Sequence, residues 1–133
     1  MTESLRIAVA DDEPDMRDYF GRILPRMGHR VVVSAADGAE LVDGCRAARP
    51  DLVITDVRMP RLDGIEAAAV LGRESGVPVI LVSAHHDPER VRADGADNVV
   101  GYLVKPVRQA DLGAAITMGM LKRRAECRMQ KAE

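Results

Sequence analysis

The sequence predicts an α/β fold, a doubly wound (βα)5 sandwich built on a five-stranded parallel sheet, and three observations predict it. Five short apolar runs recur along the 133 residues. Segments with helical spacing lie between them. The runs are apolar throughout rather than alternating, as expected of strands covered by helices on both faces of the sheet.

The first run, LRIAVA (5–10), leads into a segment where Met16, Tyr19, Phe20, Ile23, Leu24 and Met27 fall at intervals of three and four, on one helical face. Pro14 suits a first turn, Pro25 is expected to kink or end the helix, and Gly28 can cap it. The second run, RVVVSA (30–35), precedes DGAE, where Asp37 and Glu40 have capping-box spacing and Leu41, Val42 and Cys45 then point inward. The third, DLVITD (51–56), is followed by a helix expected over about residues 64–73. The fourth, VPVILVS (77–83), is followed by one expected over about 87–97. The last, GYLV (101–104), leads to a helix with Leu112, Ala115, Ile116, Gly119 and Met120 on one stripe. No fixed-period repeat interrupts this alternation.

The length fits one domain. With 47% hydrophobic residues but only 2% aromatic ones, the core must be aliphatic. A net charge of −2 gives no whole-molecule field toward nucleic acid or a membrane, so either partner would need a local patch. The apolar runs are shorter than a membrane span or a secretory core, and no cationic leader precedes the first; a cytoplasmic location is expected. Cys45 and Cys127 are too few and too far apart for a disulfide framework or a zinc pattern, which makes them free thiols.

In doubly wound sheets ligands bind beyond the carboxyl ends of the strands. Polar groups stand at those ends: Asp11 and Asp12 in VADDEP (9–14) after the first strand, Asp56 at the third, Ser83 at the fourth and Lys105 after the fifth. Singly these are a helix cap, a turn residue, a loop hydroxyl and a solvated charge; in register at one sheet edge they form a site. Three carboxylates about 4 Å apart repel by roughly 4 kcal/mol per pair at an effective dielectric near 20. They need a cation, and hard oxygen ligands with room for water favour Mg²⁺. Beside the metal and Lys105 the site suits an incoming phosphoryl group, whose spread charge metal, ammonium, hydroxyl and backbone N–H groups can stabilise. Asp56, the lone acid at the central strand end, is the natural nucleophile, and an acyl phosphate would result.

These residues resemble the receiver domain of two-component response regulators. DD at 11–12, TDVRMPRLDG at 55–64, SA at 83–84 and YLVKP at 102–106 carry the resemblance, which covers about residues 4–121. It implies a flavodoxin-like fold, a receiver domain over 1–121, and a charged helical extension, or linker to an absent output domain, over 122–133. By the resemblance, Asp56 accepts phosphate from a sensor histidine kinase or a phosphotransfer protein. Asp12, Asp56 and the backbone carbonyl of Arg58 bind Mg²⁺ directly, and Asp11 acts through water. Lys105 contacts the phosphoryl oxygens, Ser83 moves toward them and Tyr102 turns inward. The switch reaches the face made by the fourth helix, fifth strand and fifth helix, through which a homodimer could form. A cis Lys105–Pro106 bond is implied as well.

Arg58, two residues after the nucleophile, and His85, two after the hydroxyl, are expected to flank the path of water and tune the phosphate lifetime. The sequence departs from the common pattern where Gly95 and Ala96 come early and ADNVV intervenes; Asn98 is expected to take a left-handed capping position. The stretch from SAHHDPERV to YLVKP is loosely similar to receivers that precede antiterminator (ANTAR-type) RNA-binding domains. The chain is therefore read as a stand-alone receiver or as one cut at a linker, with nucleic acid contacted only through an output domain. Such a protein assists its own modification without being an enzyme in the ordinary sense. Two alternatives are an aspartate-nucleophile phosphatase of the haloacid-dehalogenase type, disfavoured because Arg58 stands where a second acid is needed, and an interaction module that is never phosphorylated.

Overall fold

The structure, a computed structural model, describes residues 4–84 and 97–132, with side chains to Glu126. In chain order it contains β1 (Arg6–Ala10), α1 (Pro14–Arg26), β2 (Arg30–Ala35), α2 (Gly38–Ala48), β3 (Leu52–Asp56), α3 (Gly64–Glu74), β4 (Val79–Ser83), β5 (Val99–Val104) and a C-terminal helix, Gln109–Ala132. The helix expected over 87–97 lies, apart from Asp97, outside the described residues. All five strands run parallel in the order β2-β1-β3-β4-β5, the doubly wound, flavodoxin-like order.

Strand periodicity divides the core in two. Ala8, Ala10, Val53, Val79 and Leu81 pack with α2 and α3, while their neighbours Ile7, Val9, Leu52, Ile54, Ile80 and Val82 pack with α1 and the C-terminal helix. The first layer is the richer in alanine, including Ala67 and Ala68 of α3, beside Leu41, Ile65 and Leu81; the second holds Phe20, Leu24, Leu112 and Ile116. Phe20 is fully buried, and cutting it to Ala would cost about 3–5 kcal/mol. The expected stripe of the last helix is the face that turns inward: Leu112, Ile116 and Gly119 are buried, Ala115 and Met120 half-buried.

The helix ends refine the sequence reading. Helix α1 ends one residue past Pro25, which has no N–H to give the helical ladder, and Gly28 follows with φ +89°. At α2, Asp37 accepts the Glu40 N–H at 2.9 Å, but the Glu40 carboxylate reaches the Ala36 N–H rather than that of Asp37, so only half of the expected capping box forms. The reciprocal box forms at α3 instead, between Asp63 and Glu66.

Asn98 corrects an expectation. Among the described non-glycine residues only Arg49 and Arg61 have positive φ. Asn98 works through its buried amide, whose Nδ2 donates to Ala68 O at 3.0 Å and to Val77 O at 2.9 Å, tying the start of β5 to α3 and to the approach of β4. Two buried carbonyls gain a donor this way, which a left-handed backbone alone would not supply. The Lys105–Pro106 bond is cis. No helix among the described residues is long and apolar enough to cross a membrane.

Candidate functional site

Parallel register brings the site together. Ala10 lies beside Thr55 in the β1–β3 pairing, so Asp11 and Asp56 leave the sheet at the same level. Asp56 pairs with Val82 and Ser83 with Val104, which sets Ser83 one step and Lys105 two steps further along the same edge. The Lys105 N–H donates to Ser83 O at 2.8 Å and joins the last two strand ends.

Local chemistry fixes each side chain. Asp11 is fully buried; its N–H donates to Ala35 O, its Oδ1 accepts the Glu13 N–H at 2.9 Å, and its carbonyl accepts from the Arg17 guanidinium at 2.7 Å. Asp12 is exposed, at the mouth of the notch. Behind Asp56, Gly64 donates its N–H to Val57 O, and a Cβ on Gly64 would collide with the Asp56 carbonyl oxygen; the loop can return so closely only because residue 64 has no side chain. On the other flank, the Tyr19 hydroxyl donates to Val107 O at 2.6 Å and pins the segment after Lys105 onto α1.

Ligand atoms of Asp11, Asp12 and Asp56 all lie within 4.8 Å of one another. At that separation each pair of carboxylates repels by roughly 3–4 kcal/mol at an effective dielectric near 20. Lys105 Nζ stands 3.1 Å from Asp11 Oδ2, 3.5 Å from Asp56 Oδ2 and 3.7 Å from Glu13 Oε1. Its contact with Asp11 is close enough for charge but not aligned as a hydrogen bond, so the buried Oδ2 of Asp11 has no hydrogen-bond partner. Burial first, and then the neighbouring Asp11, push the Asp56 carboxyl up to about 6; Lys105 pulls against this and Asp12 adds a smaller push. Burial draws the Lys105 ammonium down, but Asp11, Asp56 and Glu13 outweigh it and hold the group above the ordinary lysine value. Three carboxylates sharing one ammonium, with an Asp11 oxygen outside any aligned hydrogen bond, fit a hard divalent cation such as Mg²⁺.

Of the residues expected at the site, the structure gathers Asp11, Asp12, Asp56 and Lys105 in one notch, with Ser83, 4% exposed, on the adjoining strand end. Arg58 stands on the loop after β3 with its side chain exposed, and Tyr102 lies further back along β5, half-buried against the α2–α3 layer. His85 lies outside the described residues. Sequence reasoning missed Glu13, Arg17, Tyr19 and Gly64 as parts of the site. Their signals were faint: Tyr19 reads as an apolar helix position, and only the DG pair at 63–64 hints at a tight return.

The chain matches the response regulator receiver domain family over residues 7–117. It is 35% identical over 115 residues to the transcriptional regulatory protein PdtaR of Mycobacterium tuberculosis, covering 86% of this chain and 56% of that protein. It is 37% identical over 114 residues to the positive alginate biosynthesis regulatory protein of Pseudomonas aeruginosa, covering 84% and 46%. The solved signal receiver domain of the NarL response regulator from Mycobacterium tuberculosis superposes with a TM-score of 0.76 at 32% identity, covering 87% of this chain and 95% of that one. The chain thus spans about half the length of the curated relatives it matches. Receiver domains are signalling modules rather than classical enzymes, and their fold and acidic cluster are those described above. The chain belongs to the response-regulator receiver domain family of two-component systems.

Proposed function

We propose that the chain is a phosphoacceptor switch in a phosphorelay, with Asp56 as the acceptor. The observation that carries this reading is the convergence of three carboxylates within 4.8 Å on one lysine at the ends of three strands. The donor is a phosphohistidine on a sensor kinase or phosphotransfer protein: the P–N bond breaks, a P–O bond forms to an Asp56 carboxylate oxygen, and the freed imidazole nitrogen takes a proton.

Asp12, Asp56 and the Arg58 carbonyl would hold Mg²⁺ directly, with Asp11 acting through water. The bound ion supplies positive charge to the phosphoryl oxygens and offsets the repulsion among the acids. Asp56 attacks as the carboxylate, the form that a neighbouring cation favours. Lys105 is already drawn toward Asp56 and Asp11 and would shift its contact to the phosphoryl oxygens. Ser83 then approaches the new group and Tyr102 follows, shifting an existing equilibrium of the output face. Arg58 and His85 would set how readily water reaches the acyl phosphate. Residues 1–121 would form the receiver and 122–133 a helical extension; the C-terminal helix runs unbroken through position 121. A cytoplasmic location, dimerisation through the output face and control of a separate output domain belong to the same reading. The antiterminator likeness finds no support in the relatives described above.

Incubation with acetyl phosphate and Mg²⁺, read by intact mass, tests the proposal. One phosphoryl group is expected on the wild type and none on Asp56→Asn. Equal incorporation by Asp56→Asn would overturn the assignment, and sustained turnover of a small phosphate ester would favour a phosphatase.

A further inference from the structure

We propose that Arg61, acting through Asp37, is a positioning residue for the metal loop: their ion pair holds residues 57–63 in the form that presents the Arg58 carbonyl to a divalent cation. The inference rests on the reading of Asp11, Asp12 and Asp56 as a Mg²⁺ site.

Arg61 has φ +67°, a conformation that suits Gly and disfavours an L side chain. A long cation stands there and turns back toward the start of α2, where its Nε lies 3.2 Å from Asp37 Oδ2. Asp37 is itself fixed. Its side chain is 3% exposed, its Oδ1 accepts the Glu40 N–H at 2.9 Å, and the positive end of α2 favours its charge.

The backbone makes a second clasp at the same place. Gly38 donates its N–H to Leu62 O at 3.0 Å, and a Cβ on Gly38 would collide with that carbonyl. The near end of the loop is held by the Val57 N–H to Val82 O at 3.0 Å. Between these anchors the Leu62 N–H donates to Pro60 O at 2.8 Å, a bond that reaches back only two residues. Arg61 closes this span from outside the acid notch, so its influence on the metal passes through the loop backbone rather than through direct contact.

The Arg61 side chain is 76% exposed, so the pair adds little to overall stability and its effect is read in metal affinity. The test is calorimetric Mg²⁺ titration of the wild type, Arg61→Gly, Asp37→Asn, the double variant and Arg61→Lys. Gly accepts the positive φ, so Arg61→Gly removes the tether and relaxes the backbone together.

Binding weaker by on the order of tenfold is expected for either single variant, no further loss in the double, and partial recovery with Lys. With acetyl phosphate the half-saturating Mg²⁺ should rise while the rate at saturation stays at the wild-type value. Wild-type affinity in Arg61→Gly, or single losses that multiply in the double variant, would overturn the inference and leave the metal site standing. A wild type that binds no Mg²⁺ would overturn the metal reading itself, and this inference with it.

Discussion

The two edges of the sheet treat charge in opposite ways. Where the strands begin, a cleft of about 1090 Å³ is lined by Arg46, Arg49, Arg123 and Arg124 together with Asp51 and Glu74. Its acids are answered locally: Arg46 grips Glu74 through two nitrogens at 2.6 and 2.9 Å and touches Asp43 at 3.3 Å, and Asp51 accepts the Arg6 N–H at 2.9 Å. Where the strands end, three carboxylates crowd one ammonium, a buried Asp11 oxygen lacks a hydrogen-bond partner, and the Asp56 carboxyl is pushed up to about 6. Carboxylates crowded on one cation, rather than cleft size, mark the functional edge.

The sharpest way to break the contrast is to remove its one central cation. Lys105→Met should lower the rate of phosphoryl acceptance from acetyl phosphate by on the order of a hundredfold, the typical loss for a charge-stabilising donor, while Mg²⁺ binding is retained. An unchanged rate by intact-mass time course would remove Lys105 from the proposed role.

A second, thermodynamic effect follows from Asp56. Folding raises its carboxyl from the model-compound value of 3.8 to about 6, so the folded state holds this proton more tightly than the unfolded state. Its contribution to stability is therefore fully present below about pH 4 and is lost as pH rises through about 6. Metal-free wild type should lose on the order of 2–3 kcal/mol from this group between pH 4 and 7.5, a loss absent from Asp56→Asn and reversed by Mg²⁺ at pH 7.5. Urea midpoints of both proteins across this range are the measurement; parallel profiles would show that Asp56 carries no such strain.

The smallest effect belongs to the other edge. Arg46→Ala breaks an ion pair between half-exposed and exposed side chains, so only a slight fall in melting temperature is expected, vanishing at high salt, with phosphoryl acceptance untouched. A loss of phosphoryl acceptance here would join the two edges and undo the comparison.

Much of the fold was legible because burial on both faces writes itself as unbroken apolar runs: 30–35 was read with its observed bounds, and the gathering of Asp11, Asp56 and Lys105 followed from parallel strands ending level. What escaped reading depends on contacts between distant segments. Strand β5 starts at Val99, two residues before the expected run, because it pairs with Val79 across a register shift that no local pattern announces. Asn98 resembled a turn residue, yet its amide serves two carbonyls, 21 and 30 residues away in the chain. Arg61 carried no sequence signal of its own; its backbone conformation and its buried partner Asp37 appear only in three dimensions. The Asp63–Glu66 box, by contrast, was written in local spacing and was simply overlooked beside the stronger motif around Asp56.

Calorimetric titration of Mg²⁺ onto the wild type and Asp12→Asn at pH 7.5 addresses the cation directly. One saturable site on the wild type, lost in Asp12→Asn and intact in Arg46→Ala, is the expected result. Equal binding by wild type and Asp12→Asn, or none by either, would contradict the claim that the acids at the strand ends gather around a divalent ion.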